Sequence, residues 1–412
     1  MARPLSDEAL FARLVSMDTT SFRSNREMYG FLAEYLDRPG VRITENPSPD
    51  GSKANLVVEM GPQLDGADGL GEDGRCPGLT LSGHMDVVPA GEGWTSEPFE
   101  LTDRGDRWVA RGSADMKGFV ALAANAFARR EPASLTAPLA LVFTYDEELG
   151  CLGAGHFAET WPRDHLLPRA TVIGEPTSLR AMRMHKGHFK VRLTFHGLSA
   201  HSGYPHLGAN AVEPAGHVIA ALSELRAELS RERPPGSDFF PDTPYVAFNL
   251  ASVHGGSAIN VVPDRCVVEL GFRLLPGMEA EPVLARVREA ARRGMERLRA
   301  LPTYGEVRCE IEELGGSPPM HLREEAPVYR TVCGRTGQTE THSACYGTDG
   351  GWFSTRGMDC VIFGPGSIEV AHKPDEFIPK DEFYQGREHV EGLIDTFCTD
   401  IPGGRGEEAG GG

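Results

Sequence analysis

His84, Asp115, Glu147, Glu148, Glu175 and His372 are the residues of this sequence whose types and spacing could do chemistry. Two imidazoles with several carboxylates suit a borderline cation such as Zn²⁺, and the absence of cysteine from the set favours an open, catalytic site over a closed structural one. His84 lies in Ser82-Gly83-His84-Met85-Asp86, where Asp86 is placed to accept the N–H of the imidazole nitrogen turned away from a metal. Asp115 lies in Arg111-Gly112-Ser113-Ala114-Asp115-Met116-Lys117-Gly118, at a helix start, where its alternative role is N-capping. Glu147 and Glu148 follow Asp146 in Tyr145-Asp146-Glu147-Glu148-Leu149-Gly150. Adjacent carboxylates repel one another and are costly to bury unless a cation joins them; the alternative is a solvated acidic turn. Glu175 stands in Gly174-Glu175-Pro176-Thr177 and His372 in Ala371-His372-Lys373-Pro374-Asp375-Glu376. Each motif alone is short enough to arise by chance, so their number and placement carry the argument.

Buried strands must deliver these residues. The apolar runs at 78–81, 138–144, 170–173 and 360–363 read as such strands, and the first three lead into a candidate ligand. Strand, then carboxylate, then helix or turn, repeated along a chain, predicts an α/β sheet with its site at the carboxyl edge. Helices are expected at 6–16, at 25–36 and after Asp115, where Phe119, Val120, Leu122, Ala123, Ala126 and Phe127 recur at helical spacing. A strand at 55–60, a Gly- and Asp-rich loop at 65–77 and a hairpin around 104–106 complete this part.

After about residue 181 the pattern changes. Residues 190–195 alternate with period two, and a helix at 209–231, strands at 245–253 and 266–274 and a helix at 282–298 follow. That order predicts a separate α+β unit. The expected organisation is therefore a catalytic domain at 1–181 and 299–402, an inserted α+β domain at 182–298, and a disordered Gly- and Glu-rich tail at 403–412.

The composition, 40% hydrophobic and 24% charged over 412 residues, is that of an ordinary globular protein. A net charge of −18 argues against nucleic acid or an anionic membrane as a partner, since both need a basic face. With no apolar run of membrane-spanning length and an acidic helix directly after Met1-Ala2-Arg3-Pro4, the expected location is cytoplasmic. The eight cysteines form no C-x-x-C pair and are expected to be free thiols.

The motifs SGHMDVVP, RGSADMKG, TYDEELG, IGEPTS and AHKPDEF, in this order along nearly the whole chain, resemble the di-metal amidohydrolase family that includes acetylornithine deacetylase and succinyl-diaminopimelate desuccinylase. The resemblance implies a mixed-sheet α/β hydrolase domain with an inserted lid and dimerisation domain, hence a homodimer. It implies that Asp115 bridges two metals, with His84 and Glu175 on one, Glu148 and His372 on the other, Glu147 as general base and Asp86 behind His84. The cofactor would be Zn²⁺, one or two per subunit, with Co²⁺ able to substitute. His201 in Leu198-Ser199-Ala200-His201-Ser202 would polarise the amide carbonyl, and Arg273 would clamp a substrate carboxylate, with Asn260, Thr348 and Gly366 also at the substrate. Without the resemblance, His201 reads as a surface-loop histidine, Asn260 as a turn residue and Arg273 as a solvated strand charge.

GEPTS, His185-Lys186-Gly187-His188, FRLLPGM and GPGSIEVAHKPDEF look most like the acetylornithine deacetylase branch, whose substrate is a small N-acyl amino acid. Tyr346-Gly347-Thr348-Asp349 departs from that branch, and the segment 201–206 leans toward the desuccinylase pattern. Another N-acyl amino acid deacylase, a carboxypeptidase cutting a dipeptide, and a metal-binding regulatory homologue are the competing readings.

Overall fold

The computed structural model describes residues 4–62, 76–299 and 307–399. The chain divides into two compact units, Met1–Met184 with Leu322–His342 and Thr348–Gly412, and His185–His321 with Ser343–Gly347.

In the first unit the sheet runs in the order Val41–Pro47, Ala54–Met60, Leu139–Thr144, Leu79–His84, Ala170–Ile173, Asp359–Ile362. Ala54–Met60 is antiparallel to both of its neighbours, whereas Leu139–Thr144, Leu79–His84, Ala170–Ile173 and Asp359–Ile362 are mutually parallel. Leu79–His84 and Leu139–Thr144 are buried along their whole length, as central strands of such a sheet are when both faces are covered. The register sets His84 opposite Thr144 and Ser82 opposite Ile173, so these chains leave the sheet at one edge. The helix Gly118–Ala128 is buried throughout and packs on Leu79–His84, Asp7–Val15 and Lys380–Ile394. Ser6 caps Asp7–Val15 by accepting the Ala9 N–H at 3.1 Å, and Asp7 and Glu8 complement the helix dipole. The expected hairpin forms as Thr102–Asp103 and Arg107–Val109, and Phe377–Pro379 adds a third strand to it. That addition fastens the His372 loop to the segment leading into Asp115.

The second unit is a four-stranded antiparallel sheet in the order Ala247–Gly255, Arg265–Leu274, Gly187–His196, Arg308–Ser317. Helices Val212–Leu229 and Glu281–Arg299 pack on each other and on this sheet. Arg308–Ser317 corrects the expected return to the first pattern from 299. It is an outer strand of the small sheet, with charge on its exposed positions, so it carries little apolar signal. Val41–Pro47, a strand the apolar pattern did not reveal, is an edge strand for the same reason: only Asn46 in it is buried.

All eight cysteines are free thiols. Among the described residues no helix is long and apolar enough to cross a membrane. The tail at 403–412 and the loop at 65–77, apart from Cys76 and Pro77, lie outside the described residues.

Candidate metal centre

Parallel strand ends bring the acidic and imidazole groups together. His84 closes Leu79–His84, Glu147 and Glu148 lie in the turn after Leu139–Thr144, and Glu175 lies just past Ala170–Ile173. Gly174, before it, must lack a side chain because a Cβ there would stand 1.9 Å from the Phe119 ring. Asp115 arrives from the turn ahead of Gly118–Ala128, and His372 from a loop in which its own φ is 63°. Such a left-handed φ on a non-glycine residue is uncommon and is held only where the surroundings fix it.

The Asp115 carboxylate lies between two imidazoles, one on each oxygen. His84 Nε2 is 2.9 Å from Oδ1, and His372 Nε2 is 3.3 Å from Oδ2 and 2.9 Å from Glu148 Oε2. One ligand atom from each of His84, Glu147 and Glu175 falls within 4.8 Å of the others, and so does one from each of His84, Asp115 and Glu148. Glu175 is 4% exposed, and its Oε1 is buried with no hydrogen-bond partner.

Charge is in excess here. Burial, joined by the charge of Asp115, raises the pKa of Glu175 well above the ordinary carboxylate value; burial likewise raises Glu147 and Glu148. Burial also opposes charge on Asp115 and His84, but their mutual contact and that of His372 win, so Asp115 is lowered and His84 raised. Hydrogen bonds to Asp115 and Glu148 push His372 up to about 10. Crowded, buried carboxylates with an orphaned oxygen and imidazole nitrogens facing the same oxygens fit divalent cations, which neutralise the repulsion and use the spare lone pairs.

Several details differ from expectation. Asp86 does not turn its carboxylate to His84: Nδ1 is 2.9 Å from the Asp86 carbonyl oxygen and 3.6 Å from the carboxylate. The carboxylate instead accepts the N–H groups of Glu147 at 3.0 Å and Glu148 at 3.3 Å and the Ser21 hydroxyl at 2.7 Å. Those donors make three bonds that a single imidazole N–H cannot replace, so Asp86 fixes the histidine through its backbone and the acidic turn through its side chain. Asp115 is not an N-cap; Gly118–Ala128 has no side-chain cap. Asp146 leaves the cluster and pairs with Lys53, which opposes the burial that pushes it up to about 6.

Thr348 is fully buried and its hydroxyl accepts the Gly350 N–H at 3.1 Å, a turn-forming bond. Gly366, at φ 89°, donates its N–H to Glu382 at 2.9 Å and backs onto Ala114, where a Cβ would meet the Ala114 Cβ at 3.0 Å. In the second unit, His201 and Asn260 are exposed and close: His201 pairs with Val261, and the Ser202 N–H donates to the Asn260 carbonyl at 2.9 Å. His201 Nδ1 accepts the Gly203 N–H at 3.0 Å. Arg273 lies on Arg265–Leu274, opposite His188.

Sequence reasoning missed Glu376 and Arg111, each 1% exposed and paired at 2.5 Å. The second Glu376 oxygen accepts the N–H groups of Ala114 and Asp115 at 2.9 and 3.1 Å, which fixes the backbone that carries the central carboxylate. The available signal was that both charges stand in motifs already assigned to the site, without a role there. Asp349 and Cys151, beside Glu147, were also missed.

The model of peptidase family M20/M25/M40 matches residues 80–396, and the chain belongs to that family. It is 34% identical over 385 residues to an acetylornithine deacetylase of Pectobacterium carotovorum, spanning 92% of this chain and 93% of that one. Its fold is that of a metallo-carboxypeptidase of the M20 family from Sulfolobus solfataricus, with a TM-score of 0.72 at 18% identity over 95% of this chain and 98% of that one. It is also similar in fold to the YXEP protein of Bacillus subtilis, a dinuclear metal-binding peptidase, with a TM-score of 0.62 at 13% identity over 95% and 97% of the two chains.

Proposed function

We propose that this chain is a metal-dependent amidohydrolase that converts N2-acetyl-L-ornithine to L-ornithine and acetate, a step of arginine biosynthesis. The observation that carries the chemistry is the Asp115 carboxylate with an imidazole on each oxygen, set among buried carboxylates of which Glu175 keeps an orphaned oxygen. The substrate rests on relatives that are 34% identical over nine-tenths of the chain and carry the name acetylornithine deacetylase.

Asp115 would be shared by both cations, His84 and Glu175 would hold one, and Glu148 and His372 the other. Zn²⁺ is the proposed ion, with Co²⁺ as a substitute. When bound, such a pair lowers the pKa of water and polarises the amide carbonyl. Glu147 takes the proton of the attacking water at its carboxylate and passes it to the leaving amine; burial gives it the raised proton affinity this needs. Asp86 and Glu376 hold the backbones of Glu147, Glu148 and Asp115 in place. His201 would donate to the developing oxyanion and Arg273 would bind the substrate α-carboxylate, with Asn260 beside His201. Thr348 and Gly366 would then shape the substrate pocket through the turns they form. A homodimer is part of the reading, supported by exposed apolar residues Val253, at the outer strand Ala247–Gly255, and Ile259. So is a cytoplasmic location, supported by eight free thiols.

Hydrolysis of N-acetylornithine, N-acetylcitrulline, N-acetylmethionine and N-succinyl-diaminopimelate in one assay tests the substrate. The highest kcat/KM is expected for N-acetylornithine; a higher value for the succinyl compound overturns that choice and leaves the chemistry standing.

A further inference from the structure

Glu147 has a second set of neighbours outside the ligands described above. The turn after it folds back, with the N–H groups of Gly150 and Cys151 both donating to the Glu147 carbonyl, at 2.8 and 2.7 Å, and Cys151 at a left-handed φ of 58°. That conformation returns the thiol to the Glu147 side chain, where Sγ donates to Oε1 at 3.3 Å. Asp349 reaches the same place from the start of Gly350–Thr355. It is 2% exposed, accepts the Thr144 hydroxyl at Oδ2 and keeps Oδ1 buried with no hydrogen-bond partner. A carboxylate oxygen of Glu147, the sulfur of Cys151 and a carboxylate oxygen of Asp349 lie within 4.8 Å of one another.

We propose that Glu147, Cys151 and Asp349 form a further metal site, which takes a thiophilic divalent cation such as Zn²⁺ or Cd²⁺ and inhibits the enzyme when filled. Three donors with an open position are a common Zn²⁺ ligand count. The sulfur sets this site apart from the oxygen and imidazole ligands around Asp115, because thiolate selects soft cations over Mg²⁺ or Mn²⁺. On binding, the thiol gives its proton to solvent and sulfur becomes the ligand, with no change of oxidation state. The ion supplies the Asp349 oxygen with the partner it lacks and separates two buried carboxylates of like charge. Inhibition rests on the proposed role of Glu147: an oxygen bound to a cation cannot accept the proton of water. Activity should therefore rise with the first Zn²⁺ added and fall at excess.

The test is a Cd²⁺ titration of the Zn²⁺-loaded protein, following thiolate-to-cadmium charge-transfer absorption in wild type, Cys151→Ser and Cys345→Ser, the last controlling for the exposed thiol. The band is expected in wild type and Cys345→Ser and should be lost from Cys151→Ser at unchanged thermal stability. In Asp349→Asn the band should need roughly ten-fold or more Cd²⁺. A full band in Cys151→Ser, or none in wild type, overturns the site. Excess Zn²⁺ should inhibit wild type, and Cys151→Ser should need roughly ten-fold or more for the same loss. A Cys151-dependent band without inhibition keeps the site but overturns its action, and with it Glu147 as the base.

Discussion

Two buried polar regions, one in each unit, respond to burial in opposite directions. Around Asp115, burial and neighbouring carboxylates raise Glu147, Glu148 and Glu175. In the second unit, burial and the Arg273 charge lower the histidines, His185 to about 4 and His188 to about 3. Arg273, His188 and Ser317 are direct cross-strand neighbours and so share a face of the small sheet. Each region keeps buried atoms without hydrogen-bond partners: Glu175 Oε1 in the first, His185 Nε2 and Ser317 Oγ in the second. The first set gathers excess negative charge, a chemistry suited to a cation. The second combines a guanidinium with neutral imidazoles and a hydroxyl, a chemistry suited to an anion such as a carboxylate. Desolvation alone does not say what a site binds; the sign of the charge that it gathers does.

The largest expected effect breaks the acidic side. Glu147→Ala should lower turnover by about 10²–10⁴-fold, the usual worth of a positioned base, with metal content by elemental analysis nearly unchanged. Loss of metal with Glu147→Ala but not with Glu148→Ala would reverse the two roles. Next, Arg273→Ala should abolish the preference for a substrate with a free α-carboxylate over its α-amide, a discrimination of about 10²-fold for a charge-assisted bond. Equal kcat/KM for acid and amide in the unaltered protein would remove Arg273 as the clamp.

The remaining effect is one of stability. His185 is lowered to about 4 from the ordinary 6.5, so the unfolded chain takes up a proton that the native site refuses. The stability it contributes is complete above pH 6.5 and is lost as pH falls toward about 4, by an amount on the order of 3 kcal/mol. Urea unfolding of His185→Gln should show a shallower loss than wild type between roughly pH 7 and pH 5. An unchanged slope would mean that His185 is not held neutral by the fold.

Much of the acidic region was legible because parallel strands announce themselves as apolar runs and each run leads into candidate site residues: His84, Glu147 with Glu148, and Glu175 follow such runs directly. What the sequence concealed was carried by contacts between distant segments. Nothing local to Glu376 says that it will bond the Asp115 backbone or meet Arg111, and nothing local to Asp349 brings it to Glu147. Asp86 was assigned to the correct neighbourhood with the wrong atom, since the spacing to His84 allows either its carbonyl or its carboxylate to face the imidazole. Edge strands were hard to see for a different reason: Val41–Pro47 and Arg308–Ser317 expose polar faces and so lack a clean hydrophobic period.

The central claim is that the set around Asp115 acts through bound cations. Protein stripped with a chelator and shown to be metal-free should be assayed on N2-acetyl-L-ornithine while Zn²⁺ is added stepwise. No hydrolysis is expected at zero metal, with recovery over the first one or two equivalents per chain and the same course for Co²⁺. Undiminished hydrolysis by the metal-free protein would contradict it.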